Sequence, residues 1–308
     1  MESDSHISKM TDSELIELSK AVGIPLTDRI VGRKGLIDKI SANLRKNQLT
    51  LEDFKPVSLH DPAIKLENLS KHFGRTIAVD SLDLVLHPGE IVGLVGPNGA
   101  GKTTTMRMIT GIIQPTEGSV SINSYNIKKN PLKAKSVMGY IPERPTCYPS
   151  LRVKEYLSFI SRIYEVPRVR SIQRIRKYVD LFQLNRYLNS YIGTLSKGNL
   201  QRTLLAGVFI RDPPYILAFD EPIYGLDPRG AWSLKYHLKS LKSEGSAILI
   251  STHILEVAEG LCDRFVIMNE GLVVGNGTME ELKEQNPGTN SLEEIFLELT
   301  GGIPSIGD

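Results

Sequence analysis

Cysteine is scarce. The 308 residues contain two, Cys147 and Cys262, with no CxxC spacing and no histidine cluster beside them. That excludes a disulfide framework and a zinc site of ordinary spacing, and the pair reads as reduced thiols in a reducing compartment. Long apolar runs are missing too. Spanning a bilayer takes roughly 20 apolar residues, and the longest runs, 216–219 and 247–250, have the length of strands. The opening MESDSHISKM is polar and partly acidic, unlike a secretory signal. If the protein works at a membrane, another chain is expected to anchor it. An excess of one charge is absent as well: 37 Lys and Arg stand against 35 Asp and Glu, a net of +2. Bulk electrostatics therefore give no reason to expect nucleic acid or an anionic membrane as partner. There is no internal repeat and no low-complexity tract.

What is present is an ordinary globular composition, 41% hydrophobic and 23% charged. The length suffices for one large domain plus a small one, with a core that needs no disulfide or metal. Residues 1–55 read as two short helices. Thr11 to Glu14 has the pattern of a capping box, with Met10 and Leu15 at the flanking staple positions. Leu15, Leu18 and Val22 share one helical face, and Gly23 is expected to end that helix. Leu36, Ile37, Ile40 and Leu44 form a second apolar stripe. Arg29, Arg33, Lys34, Lys39, Arg45 and Lys46 crowd the second half of this unit against Asp38 alone. The apolar spacing and the Gly32-Arg33-Lys34 turn resemble the helix–extension–helix modules, SAP and LEM among them. That resemblance covers about 35 residues and implies a nucleic acid or chromatin-protein partner. A charged helical pair docked on its neighbour would give the same pattern.

Residues 56–62 carry two prolines and read as a linker. From 63 to 308 short β-rich runs alternate with longer amphipathic stretches, the pattern of an α/β domain built on a mostly parallel sheet. Glu90 to Val95 is a short apolar strand. It runs into Gly96, Pro97, Asn98, Gly99, Ala100, Gly101, Lys102, Thr103 and Thr104, which fit GxxxxGK[ST] without deviation. Glycines let backbone N–H groups approach phosphates closely, and the helix expected over 104–113 offers its positive end. Lys102 would reach the β- and γ-phosphates, and the Thr103 hydroxyl would ligate Mg²⁺. Tyr215 to Glu221 is a second buried strand, ending in two carboxylates. Asp220 is placed to hold Mg²⁺ through water, and Glu221 to orient and deprotonate an attacking water.

Five further segments, in order, resemble the ABC ATPase family. Phe73 and Gly74 resemble the A-loop whose aromatic stacks on adenine, and Tyr140 to Glu143 the Q-loop. Leu195 to Asn199 resembles the signature, Gly225 to Pro228 the D-loop, and Ser251 to His253 the switch histidine. The match runs from Ala63 to Gly301. Two of these motifs depart from the family pattern. In the signature, Lys197 and Asn199 replace a Gly and a Gln, while Ser196 and Gly198, the residues that would touch a γ-phosphate, remain. In the Q-loop, Glu143 stands where Gln is usual; its carboxylate could coordinate Mg²⁺ but would repel a γ-phosphate. Both departures resemble the ABC-2-type export ATPases, as do the tail segments 271–278 and 291–299, which would also fit a hairpin and a capping helix.

The resemblance implies a P-loop ABC ATPase with a mostly parallel core, an antiparallel β part and a helical subdomain at about 144–194. It implies ATP and Mg²⁺ as cofactors and two chains joined head to tail by two nucleotides, as a homodimer or with a related ATPase. Asp227 would lie near their joint. A separate multi-span permease would hold the assembly at the cytoplasmic face of a membrane, with 145–151 the candidate contact. The basic run from Arg168 to Lys177 reads as a solvated helix face. Two other functions fit less well. An ABC ATPase acting on nucleic acid or ribosomes would use the N-terminal module, but no second cassette or long coiled-coil insertion is present. A regulator with lapsed catalysis would not need Lys102, Asp220, Glu221 and His253 intact.

Overall fold

A computed structural model describes residues 7, 10, 11, 15, 18, 19, 32–46, 59–144, 146–211 and 216–301. In chain order its elements are α1 (Gly32–Lys46), β1 (Ile64–Phe73), β2 (Thr76–Leu86), β3 (Ile91–Val95), α2 (Lys102–Ile109), β4 (Glu117–Ile122), β5 (Tyr125–Asn126), α3 (Pro131–Ser136) and β6 (Met138–Ile141). There follow α4 (Val153–Ile163), α5 (Arg168–Leu181), α6 (Lys197–Ile210), β7 (Ile216–Asp220), α7 (Pro228–Ser243), β8 (Ala247–Thr252), α8 (Leu255–Glu259), β9 (Arg264–Asn269), β10 (Leu272–Thr278), α9 (Met279–Gln285) and α10 (Leu292–Leu299). The chain forms two compact units, one within 59–147, 195–208 and 214–308, the other within 1–58, 148–194 and 209–213.

The larger unit holds a six-stranded sheet in the order β10-β9-β3-β8-β7-β6. All neighbours in it are parallel except the hairpin β9–β10. Every residue of β3, β7 and β8 is buried. Parallel strands are covered on both faces, so their sequences read as unbroken apolar runs rather than alternation. A second sheet, β2-β1-β4-β5, is antiparallel. One apolar cluster unites Leu66, Leu82 and Ile122 of that sheet, Leu94 and Leu249 of the first, and Met106 and Ile109 of α2.

Local chemistry sets the element ends. The helix after the phosphate loop stops at Ile109 and does not extend over 104–113. The Thr110 hydroxyl donates back to the Met106 carbonyl at 2.9 Å, and Gly111 takes a left-handed φ of 63°. Glu270 and Gly271 join β9 to β10 with φ of 49° and 85°, the two positive values that a type I′ hairpin turn requires. Thr278 and Glu281 cap α9 reciprocally, and Ser291 accepts from the Glu294 N–H at the start of α10. The segment 271–278 is thus the turn glycine and second strand of a hairpin that begins at Arg264 rather than a whole hairpin, and 291–299 holds the expected helix. Leu282, Leu292 and Ile295 pack with Val95, Phe265 and Ile267 beneath the sheet.

The other unit is helical among its described residues. In its N-terminal part Ile7, Leu15, Leu18, Leu36 and Ile40 form a small core, with Met10 and Ile37 against it. Leu15 and Leu18 on one side and Leu36, Ile37 and Ile40 on the other are thus the expected stripes. Val22, Gly23 and the side chain of Leu44 lie outside the described residues. Gly32, Arg33 and Lys34 form the first turn of α1 rather than a connecting turn. In the 148–213 part, Phe209 stacks on Tyr178 and Phe182 of and after α5, with ring centroids 5.5 and 6.0 Å away. Arg174 is not solvated as its basic run suggested. Its guanidinium donates to the carbonyls of Ile210 and Arg211 at the end of α6, where helical carbonyls lack partners of their own.

Asp227 begins α7. Its carboxylate accepts from the Gly230 N–H at 2.7 Å and from the guanidinium of Arg202, whose side chain is only 6% exposed. The Gly230 N–H first, then Arg202, holds the Asp227 carboxyl below the ordinary aspartate range. Asp227→Ala is expected to destabilise the fold by about 1–2 kcal/mol in urea unfolding at neutral pH. With a depressed pKa, this contribution is complete above about pH 3.9 and is lost as pH falls through the lower folded value. Wild type and variant should therefore converge in strong acid. A constant difference down to pH 2 would show that the carboxylate's charge is not what Arg202 and the helix use.

Candidate functional site

The parallel register fixes the site. Val95 lies opposite Thr252, and Asp220 opposite Ser251, so β3, β8 and β7 end side by side. Ligands bind at this edge in α/β sheets because the loops and helix N-termini converge there. The chain leaves β3 through a loop that only glycine could supply at two points. A Cβ on Gly96 would stand 2.2 Å from the Met268 carbonyl oxygen, and one on Gly101, at φ 105°, 2.5 Å from that of Ala78. The Gly271 N–H of the β9–β10 turn donates to Ala100 at 3.1 Å and ties the loop down.

Lys102 follows, 6% exposed, its Nζ donating to the carbonyls of Gly96 (2.7 Å) and Pro97 (2.9 Å). Desolvation pulls its pKa down, against the opposing pull of Glu221, Asp220 and Glu143. It lines a cavity of about 570 Å³ together with Asn98, Gly99, Gly101, Thr103 and Thr104, and with Glu143, Glu221 and His253. The volume falls in the range of small-ligand sites, and the loop's backbone N–H groups and α2 face it with the positive end of their dipoles.

Asp220 is fully buried. Its Oδ1 accepts from the Ser251 hydroxyl, and its Oδ2 is buried with no hydrogen-bond partner. It lines a smaller recess of about 190 Å³ with Thr103, Tyr140, Glu143 and Arg107. A buried, unpartnered carboxylate oxygen beside a threonine hydroxyl suits a hard cation. Among the described residues there is no group of three or more His, Cys, Asp and Glu placed to hold a metal ion by themselves. That donor set fits Mg²⁺, which keeps waters and takes its remaining ligands from substrate phosphates. Burial, then the Asp220 charge, pushes the Tyr140 hydroxyl up to about 12, so it stays protonated.

Glu221 is 9% exposed and has φ 52°, a left-handed conformation for a non-glycine residue. Its N–H donates to the Ser251 carbonyl at 3.0 Å. Oε2 accepts from the Thr252 hydroxyl at 3.0 Å, and Oε1 from the His253 N–H at 2.9 Å, with His253 Nδ1 2.6 Å from the same oxygen. Glu221 and His253, read separately in the sequence, are therefore one hydrogen-bonded pair.

Other expected residues lie elsewhere. Phe73 closes β1, 53% exposed, with Lys71 Nζ 5.1 Å from its ring centroid; it does not line the cavity. Ser196, Gly198 and Asp227 do not line it either. The Ser196 hydroxyl accepts from the Asn199 N–H at 3.4 Å, and Gly198 is pressed to the Gly225 carbonyl, 2.6 Å from where a Cβ would be. Gly96, Pro97 and Ala100 shape the loop from behind the lining. Conversely, Ala78, Arg144, Lys197 and Tyr224 line the cavity without having been expected. Lys197 had carried a signal, as a lysine in a glycine position; Ala78 carried none.

The family model for ABC transporters matches residues 79–224. The ABC-type transporter ATP-binding protein EcsA of Bacillus subtilis is 34% identical over 239 residues, 77% of this chain and 96% of that protein. The Nod factor export ATP-binding protein I of Cupriavidus metallidurans is 33% identical over 75% of this chain and 76% of its own. A solved ATP-binding subunit of an ABC transporter superposes with a TM-score of 0.74 at 34% identity, covering 79% of this chain and 100% of that one. The chain belongs to the ABC transporter ATP-binding proteins, P-loop ATPases that couple ATP hydrolysis to transport.

Proposed function

We propose that this ATPase drives an export transporter as a head-to-tail dimer, with Mg²⁺ at Thr103 and Asp220 and a separate permease that holds it at the cytoplasmic face of the membrane. The observation that carries the reading is the Glu221–His253 pair facing the same cavity as Lys102. Its relatives include a protein named for Nod factor export. No helix among the described residues is long and apolar enough to cross a membrane, in keeping with an anchor on another chain.

Lys102 and the loop N–H groups hold the β- and γ-phosphates, with Asn98 and Gly99 at the loop's outer edge. Bound Mg²⁺ would neutralise charge on the phosphate oxygens. Glu221 Oε1 and Oε2 are fixed by Thr252 and His253, so the carboxylate waits in one orientation for the attacking water and takes its proton. His253 holds that carboxylate and senses the γ-phosphate. Phe73, exposed at the end of β1, stacks on the adenine. Glu143 lines the recess shared with Asp220 and would help to hold the metal, directly or through water. Ser196 and Gly198 are not among the residues that line their own cavity, in keeping with their meeting a nucleotide held by a second chain. The two-fold assembly then closes with two nucleotides between identical surfaces, and loss of the γ-phosphate opens it. Asp227, which ties α7 to Arg202, would set the signature helix relative to that joint.

Residues 1–55 form a separate module in this reading. The permease contact is the segment 145–151, where Tyr148 is 57% exposed and braced edge-on by Phe159 at 5.4 Å; Pro145 lies outside the described residues.

Glu221→Gln is expected to bind ATP, elute as a dimer with Mg²⁺ and ATP in size-exclusion chromatography, and lose turnover by at least about a hundredfold. Turnover at the wild-type rate would remove Glu221 as the base. Affinity capture from detergent-solubilised native membranes is expected to bring a stoichiometric multi-span protein, and Tyr148→Ala to recover much less of it with ATPase activity retained. Recovery of ribosomal proteins or nucleic acid instead would overturn the transporter assignment of this subunit.

A further inference from the structure

Beyond the phosphate loop and the Glu221–His253 pair, the cavity is lined by three charged side chains, Glu143, Arg144 and Lys197. Arg144 is almost fully exposed, 4.0 Å from Glu143, and Glu143 and Lys197 are the two that replace an uncharged family residue. Glu143 and Lys197 occupy two of the three positions at which the chain departs from the ABC pattern, Asn199 being the third. One departure adds a negative charge where Gln is usual, the other a positive charge where Gly is usual. In sequence they lie more than fifty residues apart; in space they line one wall-to-wall cavity with Lys102 and Glu221.

Lys197 is seated by its surroundings. Gly198 and the Gly225 carbonyl meet closely enough to exclude a Cβ on Gly198. The methylenes of Lys197 run 3.6–3.7 Å from the position a Cβ on Gly225 would take. Its Nζ sits 3.9 Å from the centroid of the Tyr224 ring, within the range of a cation–π contact. The Tyr224 ring in turn lies 6.4 Å from that of His253. The ammonium thus lies against an aromatic face, and that ring in turn neighbours His253. Ser196 and Gly198, its flanking residues, do not line this cavity; Lys197 does.

We propose that Lys197 is a second phosphate-binding cation for the nucleotide of its own chain, positioned by Tyr224, and that its charge offsets the repulsion that Glu143 exerts on a γ-phosphate. The proposal rests on the ATP-site reading above. Within the cavity the exchange of Gln for Glu and of Gly for Lys leaves the net charge where a family member with neither would have it. An anion with one more charge at its terminal phosphate should depend on Lys197 more than an anion that lacks that phosphate.

The test is Mg²⁺-nucleotide affinity, ATP against ADP, on the full chain at concentrations where sedimentation shows a monomer. Lys197→Ala is expected to weaken ATP binding on the order of tenfold, the scale of a lost charge-assisted contact, and ADP binding much less. Lys197→Arg should retain ATP binding, Glu143→Gln should tighten it, and the double variant Lys197→Ala with Glu143→Gln should return close to wild type. Tyr224→Phe should behave as wild type and Tyr224→Ala as a weaker Lys197→Ala. Unchanged ATP affinity in the Lys197→Ala monomer would overturn the proposal, as would equal losses for ATP and ADP, or a loss seen only once dimers form. A wild-type chain that binds neither nucleotide would overturn the ATP-site reading itself and the proposal with it.

Discussion

Three parallel strands that end at one edge carry everything else in this protein. The ladder β3-β8-β7 aligns Val95, Thr252 and Asp220 with their neighbours, and each strand then turns out of the sheet into a different part of the site. β3 delivers the phosphate loop, β7 delivers Asp220 and Glu221, and β8 delivers Ser251, Thr252 and His253. A shift of one residue in the β7–β8 register would reverse the faces to which these side chains point, and Ser251 would no longer meet Asp220. The complete burial of the three strands makes such a shift expensive, since it has no solvent-facing side to slip toward. The core is thus what holds the carboxylates to the phosphate loop.

The site buries charged groups at a cost that a ligand would relieve. Lys102 is nearly buried, and desolvation works against its charged form while three carboxylates work in favour of it. Asp220 keeps one oxygen buried without a donor. Each of these costs free energy in the unliganded chain, and each is relieved by a polyanion carrying a divalent cation. The same imbalance explains why the side chains are held so tightly. Lys102 is folded onto the carbonyls of Gly96 and Pro97, and Glu221 onto Thr252 and His253, so little ordering remains to be done when ATP arrives.

Much of this was legible in the sequence because it rests on short-range chemistry. The phosphate loop is readable because the close approaches at Gly96 and Gly101 admit no side chain. The strands are readable because parallel burial leaves continuous apolar runs. What escaped was contact between distant segments. Nothing in the spacing of Glu221 and His253 says that Oε1 and Nδ1 meet at 2.6 Å. Arg174 looked like one of several solvated cations, since the carbonyls it reaches lie thirty-odd residues downstream at the end of α6. The helix after the phosphate loop was drawn too long because Thr110 is a permissible helical residue, and only its bond back to Met106 and the conformation of Gly111 end it.

The backbone at Glu221 ties these threads together. A left-handed φ of 52° at a non-glycine residue that also precedes a proline costs on the order of 1–3 kcal/mol. The conformation persists because the residue is held at four places: its N–H on the Ser251 carbonyl, Oε2 on Thr252, and Oε1 on both the N–H and the ring of His253. Every one of these partners belongs to the end of β8 or the residue after it. In the proposed role of His253, a γ-phosphate that engaged it would pull on the same contacts that maintain the strained turn. The turn continues through Tyr224 and Gly225 into Asp227, which anchors Arg202 of the signature helix. Hydrolysis at one end of this segment thus has a covalent and hydrogen-bonded route to the helix at the other, made of residues that the strand order alone brings into line.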